Sequence, residues 1–90
     1  MIAIQIVRYV ASRHLVTMEE LRGPSRVPRL VAARKEIARR LSTEREMTTG
    51  QIGRFINRSE WQVRYYLHPE QRRLRIARAM ARYFERKRAA

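Results

Sequence analysis

Apolar residues recur at helical spacing along nearly the whole chain. Ile2, Ile6, Val7, Val10 and Ala11 share one face of a helix over residues 2–14. The alternation in Ile2-Ala3-Ile4-Gln5-Ile6 also suits a short strand, but no second strand is available to pair with it. Thr17-Met18-Glu19-Glu20 is a capping box that opens a short helical turn ending near Leu21. Gly23-Pro24-Ser25-Arg26 is the clearest break in the pattern. A new helix starts at Val27-Pro28-Arg29, since Pro28 is tolerable only in a first turn. Val27, Leu30, Ile37, Ala38 and Leu41 form its apolar stripe, with Arg34, Lys35, Arg39 and Arg40 mainly outside it. This helix is expected to end between Thr43 and Met47.

The stretch from Thr48 to His68 has the pattern of a helix, a tight corner and a second helix. Thr48-x-x-Gln51 and Ser59-x-x-Gln62 are capping boxes at the two starts. Ile52, Ile56 and Val63 supply the shared apolar contact, and Gly53 sits where the helices must touch. Asn57 falls at the corner, where positive φ is common and Asn tolerates it. This is the pattern of a DNA-binding helix-turn-helix, whose second helix enters the major groove. A final basic amphipathic helix over residues 69–88 begins with Pro69 and Glu70 in its first turn. Leu74, Ala77, Met80, Ala81 and Phe84 make its apolar stripe. The expectation is an all-α fold: a compact bundle of five or six helices containing a helix-turn-helix, as a single domain over residues 1–90.

Charge narrows the partners. The 90 residues carry 21 Lys+Arg against 8 Asp+Glu, a net +13; nineteen of the cations are Arg and there is no Asp. Residues 1–45 hold ten basic and four acidic side chains, residues 46–90 eleven and four, so charge and apolar pattern are interleaved as in a folded basic domain. Such a field attracts polyanions, and Arg suits phosphates and guanine edges. No stretch is apolar enough to span a bilayer, and Met1–Val7 is not read as a signal peptide, so a cytoplasmic protein without a membrane partner is expected. With no Cys there is no disulfide or thiolate metal site. His14 and His68 lack companions for a metal site, and no serine has a His/Asp arrangement around it. No cofactor is expected, and the residues point away from an enzyme.

Residues 21 to 63 resemble the C-terminal DNA-binding domain of the bacterial replication initiator DnaA. The residues that carry this are Gly23-Pro24-Ser25-Arg26, Leu30-Val31, Ala33-Arg34, Glu36, Leu41, Gln51-Ile52-Gly53-Arg54 and Val63. Val10-Ala11 and Val16-Thr17-x-Glu19-x-Leu21 fit the opening helices. The resemblance implies a diverged, stand-alone DnaA-like or TrpR-like domain, bacterial nucleoid-associated or phage-encoded. It implies that a basic loop arginine, here Arg26 with Arg29 nearby, enters the minor groove. It also implies that Thr48 meets a phosphate. The family's Arg-Asp-His-Thr-Thr-Val signature is replaced here by Arg58-Ser59-Glu60-Trp61-Gln62-Val63, and the corner is one residue shorter. The implication is therefore of fold and docking mode, not of the initiator's own DNA site. The family's nucleotide-hydrolysing module is absent, as is any phosphate-binding Gly-Lys-Ser/Thr motif.

Candidate DNA contacts follow. Ser59, Glu60, Trp61, Arg64 and Tyr65 project from the exposed face or N-terminal end of the second helix. Glu60 can accept from cytosine, Gln62 can serve adenine, and Arg64 a guanine edge or phosphate. The same residues would equally form a solvated face, with Trp61 packed on the final helix. Arg26, Arg29, Arg34 and Lys35 are candidates for phosphate contacts, with Arg58 carried over from the resemblance. The functions these residues suggest are a sequence-specific double-stranded-DNA-binding transcription regulator, a replication-origin factor, or a basic module docking an acidic partner such as a transcription-machinery subunit. RNA binding has less support, because no exposed sheet or aromatic platform is expected. The final helix could close the core, extend the phosphate footprint, bind an acidic protein or pair with a second copy.

Overall fold

The computed structural model describes residues 1–89, and these form six α-helices with no strand among them. They are α1 (Ala3–Arg13), α2 (Met18–Arg22), α3 (Pro28–Arg45), α4 (Thr49–Ile56), α5 (Glu60–Leu67) and α6 (Pro69–Ala89). The Ile2–Ile6 alternation is helical, and Ile2 itself is the exposed residue preceding α1. Starts are set by side chains as the sequence suggests. Thr17 accepts from the Glu20 N–H while Glu20 accepts from the Thr17 N–H, both at 3.0 Å. Thr48 and Gln51 repeat this exchange at α4. At α5 only the Ser59 hydroxyl takes part, accepting from the Gln62 N–H at 3.3 Å.

Helix ends are set without glycine at three places. α1, α3 and α4 are followed by Leu15, Glu46 and Asn57, with φ of 55°, 51° and 52°. Beyond Leu15 and Asn57 the next N–H reaches back into the helix: Val16 donates to the Ala11 carbonyl at 3.0 Å, and Arg58 to that of Gly53 at 2.9 Å. Both are the six-to-one bond of a Schellman cap.

α3 is the hub, with α1, α2, α4 and α5 packed around it. The core joins Ile6, Val7 and Val10 of α1 to Leu30, Ala33, Ile37, Ala38 and Leu41 of α3; Ile52, Ile56 and Val63 close it from α4 and α5. Val27, expected in the α3 stripe, precedes the helix and is exposed. α6 adds nothing to this core, and its side chains from Glu70 to Arg88 are exposed. It packs chiefly on α5 and projects from the body. The radius of gyration is therefore 16.3 Å, against about 12 Å expected for a globule of this length.

Gly53 fixes the α4–α5 corner. A Cβ there would fall on the Arg58 backbone carbonyl oxygen, with Val63 also in contact. Gly53→Ala is expected to cost at least about 2 kcal/mol in chemical denaturation, because backbone must move to admit the methyl. Leu15 offers the opposite case. Its side chain is 83% exposed, so it holds a left-handed conformation with little packing in return. Leu15→Gly is expected to raise stability by roughly 0.5 kcal/mol, the difference between the left-handed penalty and the entropy of glycine; a fall in stability would show that Leu15 packs usefully.

Candidate nucleic-acid interface

Arg34 departs most from what its residue type suggests. It is fully buried, not on the solvated side of α3. Its Nε donates to the Leu21 carbonyl at 2.9 Å and Nη1 to that of Ser25 at 2.7 Å. Nη2 donates to the Glu20 and Gly23 carbonyls, both at 3.1 Å. The guanidinium thus fills the turn between α2 and α3, supplying the donor for the Leu21 and Ser25 carbonyls and a second donor for those of Glu20 and Gly23. Burial pushes its pKa below the ordinary arginine value, and the nearby positive charge of Arg58 lowers it further. It makes no ion pair among the described residues; the four carbonyl dipoles are its compensation. Arg34 is therefore a structural clamp and is withdrawn as a DNA contact.

Arg58 is partly committed in the same way. It is half-buried, with Nη2 donating to the Gly23 carbonyl at 2.6 Å and Nη1 to that of Asn57 at 2.9 Å. Two guanidiniums thus meet at one carbonyl, tying the 23–26 loop to both α3 and the start of α5. A reciprocal tie lies beside it. Arg22 donates to the Arg54 and Phe55 carbonyls at 2.8 and 2.9 Å, and the Asn57 side chain donates to the Arg22 carbonyl at 2.9 Å. The loop and the α4–α5 corner therefore form one rigid unit.

The consequence is a basic groove of about 320 Å³ between the loop, α3, α5 and the root of α6. Arg26, Lys35, Arg58, Arg72 and Arg73 line it, together with Gln62 and Tyr65, and no acidic residue does. A shallower recess of about 230 Å³ continues from Arg26 past Pro24 to Ser59 and Gln62 at the N-terminus of α5. Loop and helix, candidates for separate grooves of a duplex, are thus neighbours. Arg72 and Arg73 join them from α6, where the sequence pattern pointed only to a general basic surface.

The other candidates divide. Arg29 is exposed but lies 3.3 Å from the Glu20 carboxylate, outside the groove. Thr48 caps α4 with its hydroxyl oxygen, which leaves the hydroxyl hydrogen free to donate. Glu60 lays its carboxylate over the first turn of α4, where a Cβ on Gly50 would lie 2.8 Å from its Oε1. That negative charge sits near the α4 N-terminus and weakens the case for a phosphate at Thr48. Trp61 is 58% exposed. The Arg64 guanidinium lies 4.7 Å from its ring centroid and that of Arg75 6.0 Å. Arg75 also donates to the Tyr65 hydroxyl at 3.0 Å. Gln62, Trp61, Arg64 and Tyr65 make up the outward side of α5, while Tyr66 is packed against the core.

Stability should separate the clamp from the groove. Arg34→Met is expected to cost about 3–5 kcal/mol, because the Leu21 and Ser25 carbonyls lose their donor and those of Glu20 and Gly23 lose one of two. Arg26→Ala, at an exposed position, should change stability by less than about 0.5 kcal/mol. Equal losses in thermal or urea unfolding would count against the division. Comparison of the chain with protein families, curated proteins and solved structures gives no match, so a functional reading stands on this geometry.

Proposed function

We propose that this protein binds double-stranded DNA sequence-specifically and acts as a transcription regulator, with α4 and α5 as a helix-turn-helix. The observation that carries this reading is the acid-free basic groove joining the Arg26 loop to the exposed side of α5. Phosphates are the ligand such a groove suits. Arg26, Lys35, Arg72 and Arg73 would grip the backbone and set register, with no sequence information of their own. Arg58 would contribute its field more than its hydrogen bonds, since its donors are engaged inside the fold.

Sequence would be read by the outward side of α5. Gln62 can pair its amide with the N6 and N7 edge of adenine, and Arg64 can fork to guanine O6 and N7. Stacking on Trp61 pre-orients the Arg64 guanidinium without using its donors. Ser59 keeps its hydroxyl hydrogen free to donate while its oxygen caps α5. Glu60, turned toward α4, contributes less than its position in the sequence suggests.

Two measurements test this. After selection of a preferred duplex, Arg64→Ala should weaken binding about 10- to 100-fold on that duplex and little on competitor DNA, as expected when one bidentate hydrogen-bond pair to a base is removed. An unchanged preference would remove Arg64 from the reading set. Arg26→Ala combined with Lys35→Ala should weaken binding to every duplex and flatten the slope of log K against log salt by about 1.8, near 0.9 for each phosphate no longer neutralised. Arg29→Ala, held on Glu20, should leave the slope nearly unchanged. Stronger binding to single-stranded RNA than to duplex DNA at matched salt would overturn the reading as a whole.

A further inference from the structure

We propose that α6 is a dimerisation arm, and that two copies of this chain pair antiparallel through it about a two-fold axis. The observation is an apolar half-helix with nothing on it. Between Leu74 and Phe84, the residues Leu74, Ile76, Ala77, Met80, Ala81, Tyr83 and Phe84 all fall within one half of the helical circumference. The opposite half carries Arg75, Arg78, Ala79 and Arg82. The large residues of the apolar half are 49–54% exposed. Arg75, which reaches α5, lies on the opposite half; Arg73, at the root, lies on the apolar half and lines the groove, so that half is clear of the protein's own body from Leu74 onward.

From Leu74 to Phe84 the pattern fits about one and a half heptads of a coiled-coil strand, with Glu70, Arg73 and Lys87 at the flanking a and d sites. With Ala77 at position a, every a, d, e and g site from Leu74 to Phe84 is apolar, and the b, c and f sites hold Arg75, Arg78, Ala79 and Arg82. It is also complementary to itself in one direction. In an antiparallel pair centred between Arg78 and Ala79, Ala77 meets Met80 of the second copy. Ile76 flanks Tyr83, and Leu74 flanks Ala81. The stem of Arg73 covers Phe84, and Glu70 at one end meets Lys87 at the other. A parallel pair would instead stack Arg73 on Arg73 and Lys87 on Lys87. The inner arginines stay solvated in the antiparallel pair, which limits the repulsion between two chains of +13 each. An acidic protein suits this surface less well. Docked on the apolar half it would meet cations only at the two ends, and docked on the arginines it would leave the apolar half bare.

The arrangement would hold the two bodies at opposite ends of a helical rod, with the roots of the two arms about 28 Å apart at 1.5 Å per residue. Their α5 helices would then be related by two-fold symmetry, as a palindromic DNA site requires. The pairing itself does not depend on DNA and is tested without it.

Sedimentation equilibrium of the full chain should give twice 10.8 kDa, with a dissociation constant in the range of about 1–10 µM. Added salt should tighten the pair by screening the net charge. Met80→Glu should give the single-chain mass with helicity retained, since Met80 touches little within one chain, whereas Arg82→Glu should remain dimeric. Orientation is read by oxidation, as the natural chain has no cysteine. Phe84→Cys should not cross-link to itself, because the two positions would be about 16 Å apart. Mixed with Arg73→Cys it should give a cross-linked pair. A mass of 10.8 kDa would overturn the proposal and leave α6 to another partner, such as anionic vesicles of phosphatidylserine. Self-cross-linking of Phe84→Cys would overturn the antiparallel arrangement.

Discussion

The structure depends on one buried cation. A guanidinium without water would normally be expensive, and without a carboxylate more so. Arg34 is tolerated because the chain presents four carbonyl oxygens to it, from Glu20, Leu21, Gly23 and Ser25. Two of those oxygens, of Leu21 and Ser25, have no other donor among the described residues and need it in turn. Gly23 and Pro24 end α2 abruptly, and the turn that follows has no secondary structure to absorb its carbonyls. Clamp and loop are mutually required, so the loop holds one shape without regular backbone pairing.

That shape is passed to α5 through Arg58 and Asn57. Arg58 shares the Gly23 carbonyl with Arg34, and Asn57 takes the Arg22 carbonyl while adopting the left-handed conformation that ends α4. The corner is tight because Gly53 lets the Arg58 backbone close on α4. The N-terminus of α5 is thus fixed relative to the loop by short bonds, not by side-chain packing alone. In the proposed function this rigidity matters, since a reading helix and a phosphate grip help each other only when their separation is fixed before DNA arrives.

Much of this was legible in local chemistry. The caps at Thr17, Thr48 and Ser59, the corner at Asn57 and the starts at Pro28 and Pro69 are decided by residues within one turn, and five of the six helices begin at them. What local pattern missed is tertiary. Arg34 sits four residues after Leu30, three before Ile37 and seven before Leu41, in the middle of the buried stripe. Its charge made it look like a surface residue, and spacing alone would have placed it inside. The partners that justify its burial lie 9 to 14 residues away, at the end of α2 and in the loop after it, whose fold is itself set by Arg34. Glu60 is a second case. Its position at the start of α5 suggests an outward reader, but Gly50 leaves open space into which its carboxylate turns. For α6 the stripe was visible in the sequence, while its lack of a covering surface was not.

The choice of carbonyls over a carboxylate at the clamp bears on the same face of the molecule. An Asp or Glu beside Arg34 would satisfy it more simply, but would place a negative charge beneath the groove that Arg26, Lys35 and Arg58 line. Carbonyl dipoles solvate the guanidinium and leave its net charge intact, so Arg34 adds to the potential above it without touching a ligand. The acids are consistent with this. Glu20 is used at the α2 cap and against Arg29, Glu36 against Arg13, Glu44 against Arg40 and Glu60 over α4, none of them in the groove. The chain therefore reaches a positive concave surface in two ways, by lining it with four arginines and Lys35 and by placing no acidic side chain among the described residues that line it.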